Sequence, residues 1–332
     1  MREAGLEARL DEVSSVFGRV PNSPGPWLLL GSHTDTVPAG GRLDGAYGVI
    51  AGLEVLRALH EAGHPAAPRV EVVSFADEEG VGAGGGLKGS RHLVESAHSA
   101  ELSGYLELHI EQGPRLEAEG LDLAAVEGIV GIDHWEVVIQ GAANHAGTTP
   151  MPARRDAGRA AGRVMHRLNG LVSASDPEMV GNIGALQLLP GAPNVIPGQA
   201  RLVVELRALQ AASLQTAAEA LHSEVMAAAE EARCHANLEL RTSVPPVQMD
   251  PRMIAAVEAA CRASGRGWRR LTSGAGHDAG KLATRIPAAM IFIPSRGGVS
   301  HSPDEYSTDE HLVMGAQVLM AAALNCLAIP SI

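Results

Sequence analysis

Between Gly31 and Gly45 the chain reads Gly-Ser-His-Thr-Asp-Thr-Val-Pro-Ala-Gly-Gly-Arg-Leu-Asp-Gly, which puts His33, Asp35 and Asp44 in one short segment. One histidine and two carboxylates, among glycines that let backbone come close, have the make-up of a divalent-metal site. A polar loop ending in a helix cap has the same make-up, so this segment alone leaves both readings open. Groups of the same kind recur at Glu78-Glu79, His109 and His301. Two histidines with a shared carboxylate suit one ion, and one histidine with two carboxylates suits a second. Imidazole together with carboxylate favours Zn²⁺ and also accommodates Mn²⁺, Co²⁺ or Ni²⁺. Asp35 stands two residues from His33 and faces the same way on an extended segment, where it is placed to hold the imidazole ring. A Glu-Glu pair is most often a solvated acidic turn. Here it ends an apolar run, so one carboxylate can bind metal while its neighbour takes a proton from metal-bound water.

Such groups need elements that deliver them to one place. Residues 27–30 read as a buried strand before the first loop, and Val49, Ile50, Leu53, Leu56 and Leu59 recur at helical spacing after it. Residues 69–75 are a Val-rich strand leading into Glu78-Glu79, a helix is expected near 87–96, and a strand over 105–110 carries His109. Residues 2–16 are expected to form a short helix. This βαβ alternation predicts an α/β fold with a mostly parallel sheet flanked by helices. Strand ends in such a sheet share an edge, which is where sites of open sheets lie.

The pattern changes near Gly131. Strand 132–140, helix 155–171, strands 181–189 and 200–209, helix 214–232 and strand 238–244 make a βαββαβ order, the ferredoxin-like arrangement. The expected organisation is a discontinuous metal-binding domain over 1–130 and 244–332 with an inserted domain over 131–243. The first pattern resumes with a helix over 251–264, a short helix after Gly276, a strand over 288–293 and a long helix from Asp309.

Composition narrows the partners. A formal charge of −12 argues against nucleic acid or an anionic membrane surface, and 3% aromatic residues leave few platforms for stacking bases. Cys234, Cys261 and Cys326 are far apart with no metal-binding spacing, which fits a reducing, cytoplasmic location. The first residues lack the apolar core of a signal peptide, and no run is expected to span a bilayer.

Seven segments carry a resemblance across nearly the whole chain. They are Gly31–Gly45, Phe75-Ala-Asp-Glu-Glu79, Glu107-Leu-His-Ile-Glu-Gln-Gly113, Ala143-Asn-His-Ala-Gly-Thr-Thr-Pro-Met151, Pro193-Asn-Val-Ile-Pro197, Ser273-Gly-Ala-Gly-His-Asp-Ala279 and Val299-Ser-His-Ser-Pro303. In this order they resemble the M20 family of metal-dependent amidohydrolases. More narrowly they are similar to its N-carbamoyl-L-amino-acid hydrolases, β-ureidopropionases and allantoate amidohydrolases.

The resemblance implies two metal ions bridged by Asp44, with His33 and His109 completing one site and Glu79 and His301 the other. It implies Glu78 as general base, His145 as the stabiliser of a tetrahedral oxyanion, and Asn194 and Arg207 as holders of a substrate carboxylate. Gln112 and His277 match further substrate contacts. The expected reaction is hydrolysis of a ureido or other linear amide C–N bond in a small carboxylate-bearing substrate, by a hydroxide that bridges the metals. The insert is implied as a lid and as the interface of a homodimer. Such relatives carry several tens of residues before the segment matching Met1, so the expectation is either a missing helix layer or a misassigned start. They also have a longer connection where this chain has only residues 80–108, and the choice of amide is expected to shift there.

Other readings compete. Gly80-Val-Gly82-Ala-Gly-Gly85 is formally a dinucleotide fingerprint, but Asp77, Glu78 and Glu79 would stand beside the pyrophosphate. A peptidase or N-acyl-amino-acid deacylase would use the same two-metal chemistry. A binding protein that has lost catalysis would not be expected to keep all five ligands and the base.

Overall fold

A computed structural model describes residues 1–82 and 85–330. The chain divides into two compact units, Met1–Ile129 with Val247–Ile332, and Val130–Pro246. Residues 83 and 84, part of the formal dinucleotide fingerprint, lie outside the described residues.

The first unit contains β1 (Glu7–Leu10), β2 (Val16–Arg19), β3 (Trp27–His33), α1 (Ala46–Glu61), β4 (Val70–Phe75), α2 (Lys88–Glu95), β5 (Leu102–Ile110), α3 (Arg115–Glu119) and β6 (Leu123–Ile129). The second contains β7 (Gly131–Gln140), β8 (Asn144–His145), α4 (Ala157–Ser175), β9 (Val180–Leu189), β10 (Val195–Ile196), β11 (Gln199–Ala208), α5 (Ala211–Glu231) and β12 (His235–Val244). The chain then returns to the first unit with β13 (Val247–Gln248), α6 (Pro251–Ala263), β14 (Trp268–Ser273), α7 (Asp278–Leu282), β15 (Ala288–Ile293) and α8 (Asp309–Leu327).

The first unit is built on one large sheet in the order β1-β2-β4-β3-β5-β15-β6-β13, with β14 also paired to β6. Its centre, β4-β3-β5-β15, is parallel throughout. β15 is a continuous apolar run and β3 opens on one, as suits a sheet covered on both faces: Leu28, Leu29 and Leu30 are all fully buried. Burying each such leucine contributes about 1.5–3 kcal/mol. One face packs against α1, α6 and α8 through Val55, Leu56, Met253, Val257, Val318 and Leu319. The other face buries Phe17, Phe75, Tyr105 and Phe292.

Three expectations fail in this unit. Residues 2–16 are a single 3₁₀ turn (Arg2–Ala4) and the β1–β2 hairpin rather than a helix. Gly5 ends the turn with φ 74, and the Asp11 carboxylate accepts the Val13 and Ser15 N–H groups to make the hairpin turn. Strands β6 and β14 were not expected and extend the sheet beyond β15. Helix α8 has the length and apolar composition of a bilayer span, although no run was expected to qualify. Its Met314, Val318, Leu319, Ala322, Ala323 and Cys326 are buried in the core.

The inserted unit is a four-stranded sheet in the order β12-β7-β11-β9, antiparallel at every pairing. This is the ferredoxin-like order. Helices α4 and α5 pack on one face through Val164, Leu168, Leu221 and Val225, against Val137, Ile139, Leu202 and Val204. Asp156 caps α4 by accepting the Gly158 and Arg159 N–H groups.

Candidate metal centre

Parallel pairing sets β3, β4 and β5 with their C-terminal ends at one edge. His33 is the last residue of β3, Glu78 and Glu79 follow β4, and His109 is the penultimate residue of β5. The loop after β3 returns Asp44 to this edge just before α1, and the loop after β15 brings His301. Gly45 sits at φ 65, and a Cβ there would stand 2.3 Å from His33 Nε2. Both the backbone conformation and the closeness to imidazole exclude a side chain.

Asp44 is the centre of the cluster. Its Oδ1 is 3.1 Å from His109 Nε2 and 3.8 Å from His33 Nε2. Its Oδ2 is 3.3 Å from His301 Nε2, which is in turn 3.5 Å from Glu79 Oε2. Two triads result, His33–Asp44–His109 and Asp44–Glu79–His301, and Asp44 belongs to both. His33 and His109 are 2% and 1% exposed, whereas the His301 side chain is 52% exposed, so one triad is sealed and the other open.

The histidine tautomers suit a cation. His33 Nδ1 lies 3.0 Å from the Asp35 carbonyl oxygen and His109 Nδ1 lies 2.8 Å from that of Ile110. A carbonyl accepts only from N–H, so each Nδ1 carries a proton and Nε2 is the ring nitrogen that faces Asp44, free to bind a cation once its own proton is displaced. Glu79 Oε1 is buried with no partner among the described residues. Crowded carboxylates, inward-facing imidazole nitrogens and an orphaned carboxylate oxygen together fit divalent ions.

The electrostatics agree. Burial pushes Glu78 up to about 10, reinforced by Asp278, Glu107, Glu79 and Asp44. Burial also raises Glu79, reinforced by Asp44. Asp44 is held well below the usual carboxylate range: burial opposes its charge, but the hydrogen bond and charge of His109 prevail. Burial works against the His109 cation too, yet Asp44 draws that histidine up to about 9. Positive ions in the cluster would take the place of those protons.

A stability prediction follows. In the metal-free chain Glu78 moves from an ordinary 4.5 to about 10, so the folded state binds its proton more tightly than the unfolded state. Its stabilising contribution is complete below the unfolded value and is lost as pH rises through the folded one. Chelator-treated protein is expected to melt at falling temperature between about pH 5 and about pH 9. Metal-loaded protein should melt higher, with a flatter profile. A melting temperature that rises over that interval in the treated protein would contradict the assignment.

Asp35 acts differently from expectation. Its carbonyl, not its carboxylate, holds the His33 ring, because Oδ1 is 3.7 Å from Nδ1. The carboxylate instead accepts the N–H groups of Glu78 at 3.2 Å and Glu79 at 3.1 Å. It thereby fixes the backbone that carries Glu78 and Glu79. Gln112, at φ 57, donates from Nε2 to Asp44 Oδ2 at 2.9 Å. His277 is 3% exposed, hydrogen-bonded to Ser273 Oγ, with its ring 4.6 Å from that of His109.

Two carboxylates absent from the expected site support it. Glu305 Oε1 accepts the N–H groups of Leu43 and Asp44, each at 3.0 Å, and Oε2 accepts the Ser300 hydroxyl at 2.9 Å. Glu107 Oε1 accepts the Ser32 hydroxyl at 2.6 Å and Oε2 the Ala279 N–H at 2.9 Å. The signals were present in position: Glu107 shares a strand face with His109, and Glu305 follows His301 closely. Glu305→Gln is expected to weaken metal binding about 10–100-fold, read by metal titration, because it loosens the loop that presents Asp44. Unchanged affinity would show that Glu305 is not needed there.

In the inserted unit, His145 on β8 pairs with Val195 on β10. His145 Nδ1 accepts the N–H groups of Gly147 and Thr148 at 3.0 and 3.2 Å, which puts the ring proton on the exposed Nε2. The Asn194 carbonyl accepts the Ala146 N–H at 2.9 Å, so these two residues share one loop cluster. Arg207 is on the separate four-stranded sheet, on β11, with Nε donating to Glu205 Oε1 at 2.8 Å.

The model of peptidase family M20/M25/M40 matches residues 29–325. The N-carbamoyl-L-amino acid amidohydrolase of Geobacillus stearothermophilus is 36% identical over 355 residues, covering 96% of this chain and 87% of that protein. The allantoate amidohydrolase of Bacillus subtilis is 34% identical over 358 residues, covering 96% and 86%. A solved amidase of the hydantoinase/carbamoylase family from Burkholderia multivorans superposes with TM-score 0.91 at 33% identity, covering 99% of this chain and 88% of that one. With the match running through every segment that builds the metal cluster, the chain belongs to the M20/M25/M40 family, on the branch of its amidohydrolases.

Proposed function

We propose that the chain hydrolyses the carbamoyl C–N bond of an N-carbamoyl amino acid or an allantoate-like ureido acid. The observation that carries this is Asp44 standing between His33–His109 and His301–Glu79 with the Glu78 carboxylate at their side. His33, His109 and Asp44 would hold one ion, and Asp44, Glu79 and His301 the other. Zn²⁺ suits this donor set best, and Mn²⁺, Co²⁺ or Ni²⁺ can occupy it. The ions supply Lewis acidity and lower the pKa of water.

The chain's own groups complete the reaction. Glu78 takes the proton of the attacking water at a carboxylate oxygen and returns it to the leaving nitrogen. His145 donates from Nε2 to the oxygen that gains charge. Arg207 and Asn194 bind the substrate carboxylate, the former through a planar guanidinium. Gln112 acts through Asp44, to which it donates, and His277 packs its ring against that of His109. The inserted unit is proposed as the interface of a homodimer, supported by its exposed Val180, Leu186, Val203 and Leu240. A cytoplasmic location is supported by three buried free thiols.

A substrate panel tests the reading. Metal-loaded protein is incubated with N-carbamoyl-L-amino acids, N-carbamoyl-β-alanine, allantoate and N-acetyl amino acids, with ammonia and amine both measured. Ammonia from a ureido compound is expected, and cleavage confined to acetyl compounds would refute it. Arg207→Ala is expected to raise KM for the preferred acid at least about tenfold with a smaller change in kcat, as loss of a carboxylate anchor does.

A further inference from the structure

The ring proton of His145 is placed by a backbone turn. Nδ1 accepts the Gly147 and Thr148 N–H groups, and the His145 carbonyl accepts the Thr149 hydroxyl at 2.8 Å. A ring nitrogen that accepts two N–H groups carries no hydrogen of its own, which leaves the hydrogen on Nε2. This holds only while Gly147 and Thr148 stay aimed at the ring. Both residues are exposed, and water competes for each of their bonds, so those bonds alone fix the turn weakly.

Arg154 ties the turn from its other side. Its Nε donates to the Thr149 carbonyl at 3.1 Å and its Nη2 to the Ala146 carbonyl at 2.5 Å. One planar guanidinium thus spans the carbonyls on either side of Gly147 and Thr148. Arg154 is itself half-buried and anchored. Its carbonyl accepts Arg233 Nη2 at 3.3 Å, and the next residue, Arg155, accepts the Ala142 N–H at 2.8 Å just beyond β7. Ala146 is gripped a second time, because its N–H donates to the Asn194 carbonyl beside β10. We propose that Arg154 is a positioning residue for His145: it holds the turn after β8 closed, and the closed turn fixes the imidazole as an Nε2–H donor. The effect on turnover rests on the oxyanion role given to His145 above. Lysine keeps the charge of Arg154 but has no planar fork to hold both carbonyls.

Nitrogen-15 NMR of the His145 ring, with steady-state kinetics, tests this on the full, Zn²⁺-loaded chain and its Arg154→Lys and Arg154→Ala variants. The ring signals are assigned by their loss in His145→Gln. The parent ring should be a single tautomer with hydrogen on Nε2 and none on Nδ1. In both variants the ring should become a mixture of tautomers. Their kcat for the best-cleaved ureido acid should fall about 10–100-fold with KM within about threefold, as misplacement of a catalytic group does. Hydrogen on Nδ1 in the parent would overturn the proposal. So would the parent's single tautomer persisting in a folded Arg154→Lys chain. The ring spectrum needs no turnover, so it separates the two readings. Mixed tautomers with kcat unchanged would uphold the tie made by Arg154 and refute the oxyanion role of His145.

Discussion

Glu78→Gln is expected to reduce kcat about 10³–10⁴-fold while both metal ions stay bound, the loss typical of removing a positioned general base. The side chain sits beside the ligand cluster rather than within it. Its Oε2 is 3.8 Å from His33 Nε2, whereas Glu79 Oε2 is 3.5 Å from His301 Nε2 and belongs to a ligand triad. Glutamine keeps the shape and the backbone hydrogen bond to Asp35 but has no site to take a proton. The companion Glu79→Gln should instead lose metal along with activity. Turnover assays and metal analysis on the two variants separate base from ligand. If Glu78→Gln keeps most of its activity, the proton is taken elsewhere.

Asp44→Asn should have the broadest effect, because that carboxylate serves both triads. One oxygen faces His33 and His109, and the other faces His301 and the Gln112 amide. An amide offers one neutral acceptor in place of two charged ones, so neither ion retains a full set of ligands. Bound divalent ion is expected to fall to background at both sites, with activity lost in parallel. Retention of one tightly bound ion per chain would show that the triads do not share Asp44 as described.

The two triads were legible in the sequence as a cluster because metal chemistry restricts residue type and strand ends restrict position. His33, Glu79 and His109 each follow or end an apolar run, which is a pattern that can be read directly. What holds those ligands was harder to see. Glu305 is far from Asp44 in sequence, and only the fold brings its carboxylate to the Leu43 and Asp44 N–H groups. The left-handed backbone at Gln112 and His301, φ 57 and 54, is a tertiary strain that neither residue type announces. Among the elements, β6 was missed because Leu-Ala-Ala-Val-Glu-Gly-Ile has few β-branched residues, and pairing on both sides makes it a strand. The β1–β2 hairpin was missed because four-residue strands barely show alternation, and the Asp11 turn that joins them is a side-chain effect.

After β4, the Asp77 carboxylate accepts the Gly82 N–H, and the Glu78 carbonyl accepts the Leu87 N–H at 2.8 Å. The connection is thus tied down at both ends next to Glu78. This geometry gives Asp77 a local structural role.

The most direct test of a two-ion amidohydrolase is metal titration of chelator-treated protein, with ammonia release from its best N-carbamoyl or ureido acid measured at each addition. Ammonia production should rise with bound metal and saturate at two ions per chain. Saturation at one ion, or ammonia release that is indifferent to metal, would contradict the account.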